Sequence, residues 1–169
     1  MEKEFLYVDC SSLEMKDIPR LPSNVKTLNL SNNKIQYIKD YSFDNLANLT
    51  DLDLTGNKLQ TERIGQYAFE GLNQLQRLTL ANNDISVVHL PKGIFQPLLS
   101  LLYLNIKHNA INKNIQGKII CDLHALETLE VDIMNTYSSG FNLFGKGVSL
   151  LRRLKRLVSG LCGVFLLTK

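Results

Sequence analysis

The sequence contains none of the short motifs by which most enzymes bind phosphates, hold metals or activate nucleophiles. A glycine-rich phosphate loop, H-E-x-x-H, G-x-S-x-G and paired C-x-x-C are all absent. The acidic residues are scattered along the chain rather than grouped. We therefore predict that the protein is not an enzyme and that it uses no cofactor.

Long apolar runs are also absent. No stretch reaches the roughly 18 residues that a membrane-spanning helix needs, so we predict no membrane span within these 169 residues. The first seven residues, Met-Glu-Lys-Glu-Phe-Leu-Tyr, lack the apolar run of a signal peptide. The formal net charge of +3 is too small to favour nucleic acid as a partner, and no nucleic-acid-binding motif is present.

Cysteine is scarce, with Cys10, Cys121 and Cys162 as the full set. These three are not spaced like metal ligands and the three histidines do not complete a site around them, so we predict no metal centre. An odd count indicates a missing partner or a free thiol. Cys121 lies beside the apolar positions Ile120 and Leu123, which favours a buried free thiol there.

What the sequence does contain is a periodic apolar frame, L-x-x-L-x-L-x-x-N-x-L, that occurs four times. Its asparagines, at Asn33, Asn57, Asn83 and Asn109, lie 24, 26 and 26 residues apart. This is the signature of a leucine-rich repeat. The alternating x-L-x-L-x part predicts a strand with its leucines facing inward, and one such unit must stack on others to bury them.

The frame predicts the fold and a structural role for its asparagines. We expect an α/β leucine-rich-repeat solenoid of about six repeats, with a curved parallel sheet on the concave face and irregular or short helical segments on the convex side. Where the chain turns off the sheet, a buried asparagine amide can satisfy backbone groups that lack sheet partners. A large apolar residue precedes each strand's first leucine by six positions and should fill the convex side: Phe43, Phe69, Phe95 and Ile120.

We divide the chain into an N-terminal cap over residues 1–24 and repeats over residues 25–169. The repeats are 25–48, 49–74, 75–100, 101–125, an irregular fifth at 126–153 and a truncated sixth at 154–169. The fifth is irregular because Met134 stands where the asparagine should be. Val87 and Val88 are extra apolar residues of the third repeat.

The basic and apolar segment from Leu150 to Leu167 has three interpretations: a basic amphipathic membrane helix, a truncated transmembrane segment, or a sixth repeat. We favour the sixth repeat, which would begin at Leu154 and place Cys162 at the asparagine position, where cysteine is an accepted alternative. No polar C-terminal cap follows Lys169, so we expect the solenoid to be truncated there.

Binding would depend on the outward-facing positions of the strands and of the turns that follow them. Tyrosine and arginine are enriched among the residues that dominate binding energy at interfaces. We also predict that the side chains of Ser31 and Ala81 face outward. The alternative interpretation is that these residues are solvated and pair across strands. The binding candidates on the concave face are Arg77, Tyr103, Lys107, His108, Glu130 and Asp132.

Two glycosylation sequons are present, Asn29-Leu-Ser31 and Asn48-Leu-Thr50. The first coincides with the repeat frame itself. The second lies just before a predicted strand, which makes Asn48 the better candidate.

Residues 8–33 resemble the N-terminal flanking module of extracellular leucine-rich-repeat proteins. The block runs from Val8-Asp-Cys10-Ser-Ser through Ile18-Pro19 and Leu21-Pro-Ser-Asn-Val25. The resemblance implies that Cys10 pairs with a cysteine slightly upstream, yet none of the nine preceding residues is cysteine. We therefore expect the chain to begin inside the cap; the alternative is a cysteine-poor cap of an intracellular protein.

The spacing F-x-x-L-x-x-L-x-x-L-x-L-x-x-N resembles the ectodomain of Toll-like receptors, and residues 90–109 and 123–132 are similar to the irregular invertebrate members. This resemblance implies the N-terminal part of the ectodomain of a glycosylated innate-immune receptor, with transmembrane and signalling domains beyond residue 169. It also implies a protein or microbial-type ligand and receptor dimerisation, but no ligand-binding residue carries over by motif. The alternatives are a secreted or matrix leucine-rich-repeat binder and a cytosolic repeat scaffold.

Overall fold

The computed structural model describes residues 4–86, 89–110, 120, 122–132, 153–159 and 163–166, with residues 157–159 and 163–166 described by their backbone. Several positions that the sequence analysis singled out lie outside these residues: Val87, Val88, Cys121, Met134 and Cys162.

The described strands form one sheet in which spatial order follows chain order. The first seven strands run parallel to one another, and the eighth runs antiparallel to the seventh. Their bounds are β1 Leu6–Asp9, β2 Val25–Asn29, β3 Asp51–Asp53, β4 Arg77–Thr79, β5 Tyr103–Asn105, β6 Thr128–Glu130, β7 Arg156–Ser159 and β8 Gly163–Leu166.

The register places equivalent frame positions opposite one another along the sheet. Leu28 pairs with Leu52, Leu52 with Leu78, and Leu78 with Leu104. These leucines are buried in one continuous core. The predicted leucine-rich-repeat solenoid with a parallel sheet is therefore confirmed.

The convex side has almost no helix. Within the described residues, this side contains one 3-10 helix, Thr61–Arg63. The helical part of the predicted α/β class is therefore minimal. The chain crosses this side through single turns, such as the Leu46 N–H donating to the Phe43 carbonyl at 2.9 Å. Such short segments cannot recover the cost of nucleating an α-helix. Gly71, at φ 89°, interrupts one of them further.

Three phenylalanines fill the convex half of the core, as the sequence predicted. Phe43, Phe69 and Phe95 are each at most 1% exposed. Their ring centroids lie 6.4 Å and 6.0 Å apart, with interplanar angles of 2° and 28°. Stacked rings at this separation add stabilisation beyond the burial of their area. The next position, Ile120, is also fully buried and extends the stack in aliphatic form.

The frame asparagines join each coil to the one before it. Asn57 donates from Nδ2 to the carbonyl oxygens of Leu30 and Leu54, at 2.9 and 3.0 Å. Its Oδ1 accepts the Ile35 N–H at 3.1 Å. Asn83 repeats the pattern one coil later, bonding to Leu54, Leu80 and the Leu59 N–H. Each amide thus satisfies backbone groups of two coils at once.

The residue before each frame asparagine adopts a left-handed backbone. Asn32, Gly56, Asn82 and His108 have φ of 56°, 68°, 53° and 55°. Glycine and asparagine visit this region at low cost, and histidine is enriched there relative to other residues. At Gly56 an added Cβ would also meet the Asn32 Oδ1 at 2.5 Å. Backbone geometry therefore decides which residue types can precede each frame asparagine.

Ser31 and Ala81 do not face outward as predicted. Their exposed fractions are 8% and 4%. The chain leaves the sheet at the left-handed residue that follows, so the side chain at this position packs between coils. The strict outward alternation ends one residue earlier than the frame suggests.

Where the structure describes the segment Leu150–Leu167, it shows strands rather than the helix that both membrane interpretations require. Arg156–Ser159 is a strand that pairs with β6 in frame, Leu157 opposite Leu129, as the sixth-repeat interpretation requires. Gly163–Leu166 then departs from a repeat by pairing antiparallel to β7. Three residues separate the two strands, too few for the crossover that a further parallel strand needs.

Within the described residues, no helix has the length and apolar character required to cross a bilayer.

Replacing a frame asparagine should destabilise the solenoid. In Asn57→Leu, the Ile35 N–H and the Leu30 and Leu54 carbonyls lose a buried partner, at about 1–3 kcal/mol for each group left unsatisfied. Urea unfolding monitored by circular dichroism measures the loss. The matched control is Asn45→Leu, which removes an exposed bond to the Leu21 carbonyl and should cost about 1 kcal/mol or less. Equal losses in the two variants would contradict a special role for the buried amide.

Candidate binding surface on the concave face of the sheet

Two columns of outward-facing side chains run across the concave face, one on each side of the buried leucine column. The first column contains Tyr7, Thr27, Asp51, Arg77, Tyr103, Thr128 and Arg156. The second column contains Asp9, Asn29, Asp53, Thr79, Asn105 and Glu130. Neighbours within a column are about 4.8 Å apart along the sheet.

Arg77 lies between two partners of its own column. Its Nε is 3.6 Å from Asp51 Oδ1 on β3. Its guanidinium carbon lies 4.1 Å from the centroid of the Tyr103 ring on β5. The Asp51 carboxylate also accepts the Thr50 hydroxyl at 2.7 Å. The guanidinium thereby lies close to the aromatic ring, an attractive cation–π arrangement.

Tyr103 extends this arrangement to the neighbouring repeat. Its hydroxyl donates to Glu130 Oε1 at 2.9 Å, and Lys107 Nζ lies 3.5 Å from Glu130 Oε2. Burial and then the hydrogen bond to the negatively charged Glu130 raise the pKa of the Tyr103 phenol above its ordinary value. Asp51, Arg77, Tyr103, Glu130 and Lys107 therefore form one network, which we call the concave network.

His108 and Asp132 form a separate pair just beyond the C-terminal ends of β5 and β6. The His108 backbone N–H donates to Asp132 Oδ2, and the ring Nδ1 is 3.5 Å from the same oxygen. His108 occupies one of the left-handed positions, and its side chain is 62% exposed. The structure thus joins four of the six predicted binding residues in one network and places these two beside it.

Several second-column residues have a structural task that the sequence analysis missed. Asp9, Asn29, Asp53 and Asn105 each accept, through Oδ1, the backbone N–H two residues further on, at 2.8–3.0 Å. These local bonds stabilise the turn off the sheet. The signal was present in the sequence, since asparagine or aspartate stands between the second and third leucine positions of the frame in three of its four copies.

A shallow depression of about 190 Å³ lies in the N-terminal half of the concave face. Leu28 and Leu52 line it although their side chains are buried in the core, and Thr27, Thr79 and Asp53 are among the polar residues around it. Tyr7 also lines it and is 67% exposed. No large hydrophobic side chain in the described residues is more exposed than Tyr7. Neither Tyr7 nor Asp53 was among the predicted binding residues.

The predicted modification sites lie on different faces. Asn29 lines the concave depression, and the Ser31 of its sequon is buried. Asn48 is half-buried just before β3 and donates from Nδ2 to the Ser23 carbonyl at 2.9 Å. Cys10 is half-buried at the end of β1 and forms no disulfide within the described part of the chain.

Across the residues that the structure describes, no three histidine, cysteine or acidic side chains come together as a metal site. The concave face is therefore a surface of hydrogen-bonding, charged and aromatic groups. Such a surface recognises another molecule by complementarity of shape and charge.

The stacked parallel strands, the buried leucine column and the asparagine ladder define a leucine-rich-repeat solenoid. Residues 23–85 match the family model described as Leucine rich repeat. Lumican of Gallus gallus is 42% identical over 55 residues, which cover 32% of this chain and 16% of that protein. Keratocan of Homo sapiens is 40% identical over 58 residues, covering 34% and 16%.

Toll-like receptor 8 of Homo sapiens is 54% identical over 39 residues, which cover 23% of this chain and 4% of the receptor. Among solved structures, a chain of the octameric complex of Latrophilin 3, Unc5D and FLRT2 aligns with a TM-score of 0.68 and 26% identity. That alignment covers 85% of this chain and 42% of the other, and FLRT2 is the leucine-rich-repeat component of the complex. The matched segments span 16% or less of the curated relatives' own lengths.

Alkaline pH should weaken the folded state through Tyr103. A raised pKa in the folded protein stabilises the fold below the ordinary phenol pKa of about 10, and this contribution is lost as pH rises through the folded value. The free energy of unfolding of the wild type should therefore fall more steeply between about pH 9 and about pH 11 than that of Tyr103→Phe. Urea unfolding across that range measures the two slopes. Tyr67→Phe, on the convex side, controls for the loss of one phenol; if it flattens the slope as much as Tyr103→Phe does, the assignment to Tyr103 is wrong.

Proposed function

We propose that this chain is a ligand-recognition domain of an extracellular protein and that it binds a protein partner through its concave face. The observation that carries the proposal is the concave network, in which Arg77, Tyr103, Glu130 and Lys107 hold one another in place. Side chains fixed before binding lose less conformational freedom when a partner arrives. Arginine and tyrosine are also the residue types that dominate interface energetics.

The finer proposal is the ectodomain of a Toll-like innate-immune receptor, whose full-length form would signal and dimerise. Its support is the resemblance of the cap and of the repeat spacing, together with the 39-residue match to Toll-like receptor 8. A protein or microbial-type ligand belongs to this proposal.

The second candidate is a secreted or matrix leucine-rich-repeat binder without signalling. The matches to lumican and keratocan, over 55 and 58 residues, favour it. The structural alignment with the Latrophilin 3, Unc5D and FLRT2 complex also supports recognition of protein partners. Sequencing the full-length transcript separates the two candidates, because a signalling domain beyond residue 169 favours the receptor and a stop codon soon after it favours the secreted binder.

An extracellular protein should carry a glycan at Asn48. Expression in a eukaryotic secretory system, followed by glycopeptide mass spectrometry, should find Asn48 occupied. Asn29 should be largely unoccupied, because a glycan there would stand in the concave depression. Asn48→Gln serves as the control that removes the signal. An unmodified Asn48 would instead favour a cytosolic scaffold.

A bulky side chain on the concave face should abolish partner binding. Thr79→Trp places an indole in the second column beside the depression, where it blocks a partner from the concave face. Against an array of purified extracellular ectodomains, we expect this variant to lose at least about tenfold in affinity for any protein that the wild type binds, about 1.4 kcal/mol.

The matched control is Glu70→Trp, which adds the same ring at an exposed convex position. It should bind as the wild type does. Equal binding by Thr79→Trp and wild type, or loss in Glu70→Trp alone, would overturn the assignment of the concave face.

A further inference from the structure

The N-terminal half of the concave face is negatively charged, although the chain as a whole carries a formal charge of +3. Across β1–β4 the two outward columns contain three carboxylates, Asp9, Asp51 and Asp53, and one guanidinium, Arg77. Lys26, at the start of β2, has its ammonium 5.6 Å from the centroid of the Phe5 ring. The charge of this half therefore contrasts with that of the molecule that carries it.

The single guanidinium of these columns is already engaged. Arg77 is held by Asp51 in its own column and by the ring of Tyr103. Asp53 lies in the other column, where its register neighbours are Asn29 and Thr79. One of its oxygens accepts the Thr55 N–H at 2.8 Å, and no cation of the described residues pairs with the other. Asp53 thus forms no ion pair with the described residues, although Arg77 also lines the depression.

The depression beside Asp53 fits one long side chain. Its volume is about 190 Å³. Leu28 and Leu52 line it with their side chains buried in the core, and the exposed ring of Tyr7 stands at its N-terminal edge. An aromatic wall and a carboxylate suit a side chain with a flat cationic head.

We propose that the partner inserts an arginine side chain into this depression, with Asp53 as its ion-pair partner and Tyr7 as the aromatic surface along which it lies. This inference rests on the proposed function and specifies the chemistry of the partner: a protein segment that presents a basic residue. Arginine fits better than lysine because its guanidinium stacks on aromatic faces and binds carboxylates through two donors. Asp9, in the same column as Asp53, adds attraction that steers a basic segment towards the face.

The test uses acetyl-(Gly-Arg)₃-amide as the probe and the same peptide with citrulline in place of arginine as the neutral isostere. Binding is followed through the backbone amide signals of the ¹⁵N-labelled protein. We expect the arginine peptide to shift the signals of Asp53 and Thr55 and the citrulline peptide to leave them unmoved. The affinity should fall as salt is added, because charges at the surface are screened.

Asp53→Asn removes the charge and keeps the turn, since Asn29 and Asn105 accept the same local N–H at equivalent positions. It should weaken peptide binding about three- to fivefold, the size expected for one partly exposed ion pair. Asp44→Asn, at an exposed convex position, is the charge-matched control and should leave the affinity unchanged. Equal effects of the two substitutions, equal binding of the citrulline peptide, or no binding of the arginine peptide would overturn the inference.

The failure of this inference can be told from failure of the proposed function. If Thr79→Trp abolishes binding of an array protein while Asp53→Asn leaves it intact, the concave face binds a partner of different chemistry. If Thr79→Trp has no effect on that protein, the concave face itself is the wrong surface.

Discussion

The structure depends on a side-chain amide that bridges two coils. Asn57 and Asn83 each donate to carbonyls of their own coil and the preceding one, and each accepts an N–H of the preceding coil. Without this bridge, the turn that leaves the sheet would bury unpaired backbone groups in every repeat. The bridge fixes where the chain turns, the turn fixes the register of the next strand, and the register places the outward columns of the concave face.

The sequence predicted the parts of the fold that repeat. The leucine column, the phenylalanine stack and the parallel sheet follow from the period of the frame, because each coil buries its apolar face only on its neighbours. What a period could not predict is what differs between coils. The left-handed position before each asparagine is occupied by asparagine, glycine or histidine, so its shared backbone geometry was hidden by different side chains. The antiparallel β8 depends on a connection too short for another coil.

The binding candidates were predicted by residue type, and contacts between strands decide what those types can do. Arg77 and Tyr103 are 26 residues apart in the chain yet adjacent in the sheet, where they form a cation–π pair. Their pairing joins the two interpretations of the sequence, cross-strand pairing and a binding surface. Asp53 was overlooked because its position in the frame gave no sign that its neighbours would lack a compensating cation.

The asparagine ladder has a direction, since each amide completes the coil before it rather than the coil after it. When a coil detaches at the C-terminal end, its own asparagine leaves with it. When a coil detaches at the N-terminal end, the asparagine of the next coil stays behind and loses its hydrogen-bond partners. Under a pulling force, the solenoid should therefore unfold from its C-terminal end, one coil at a time. Each regular coil of 24–26 residues would release roughly 80 Å of extended chain.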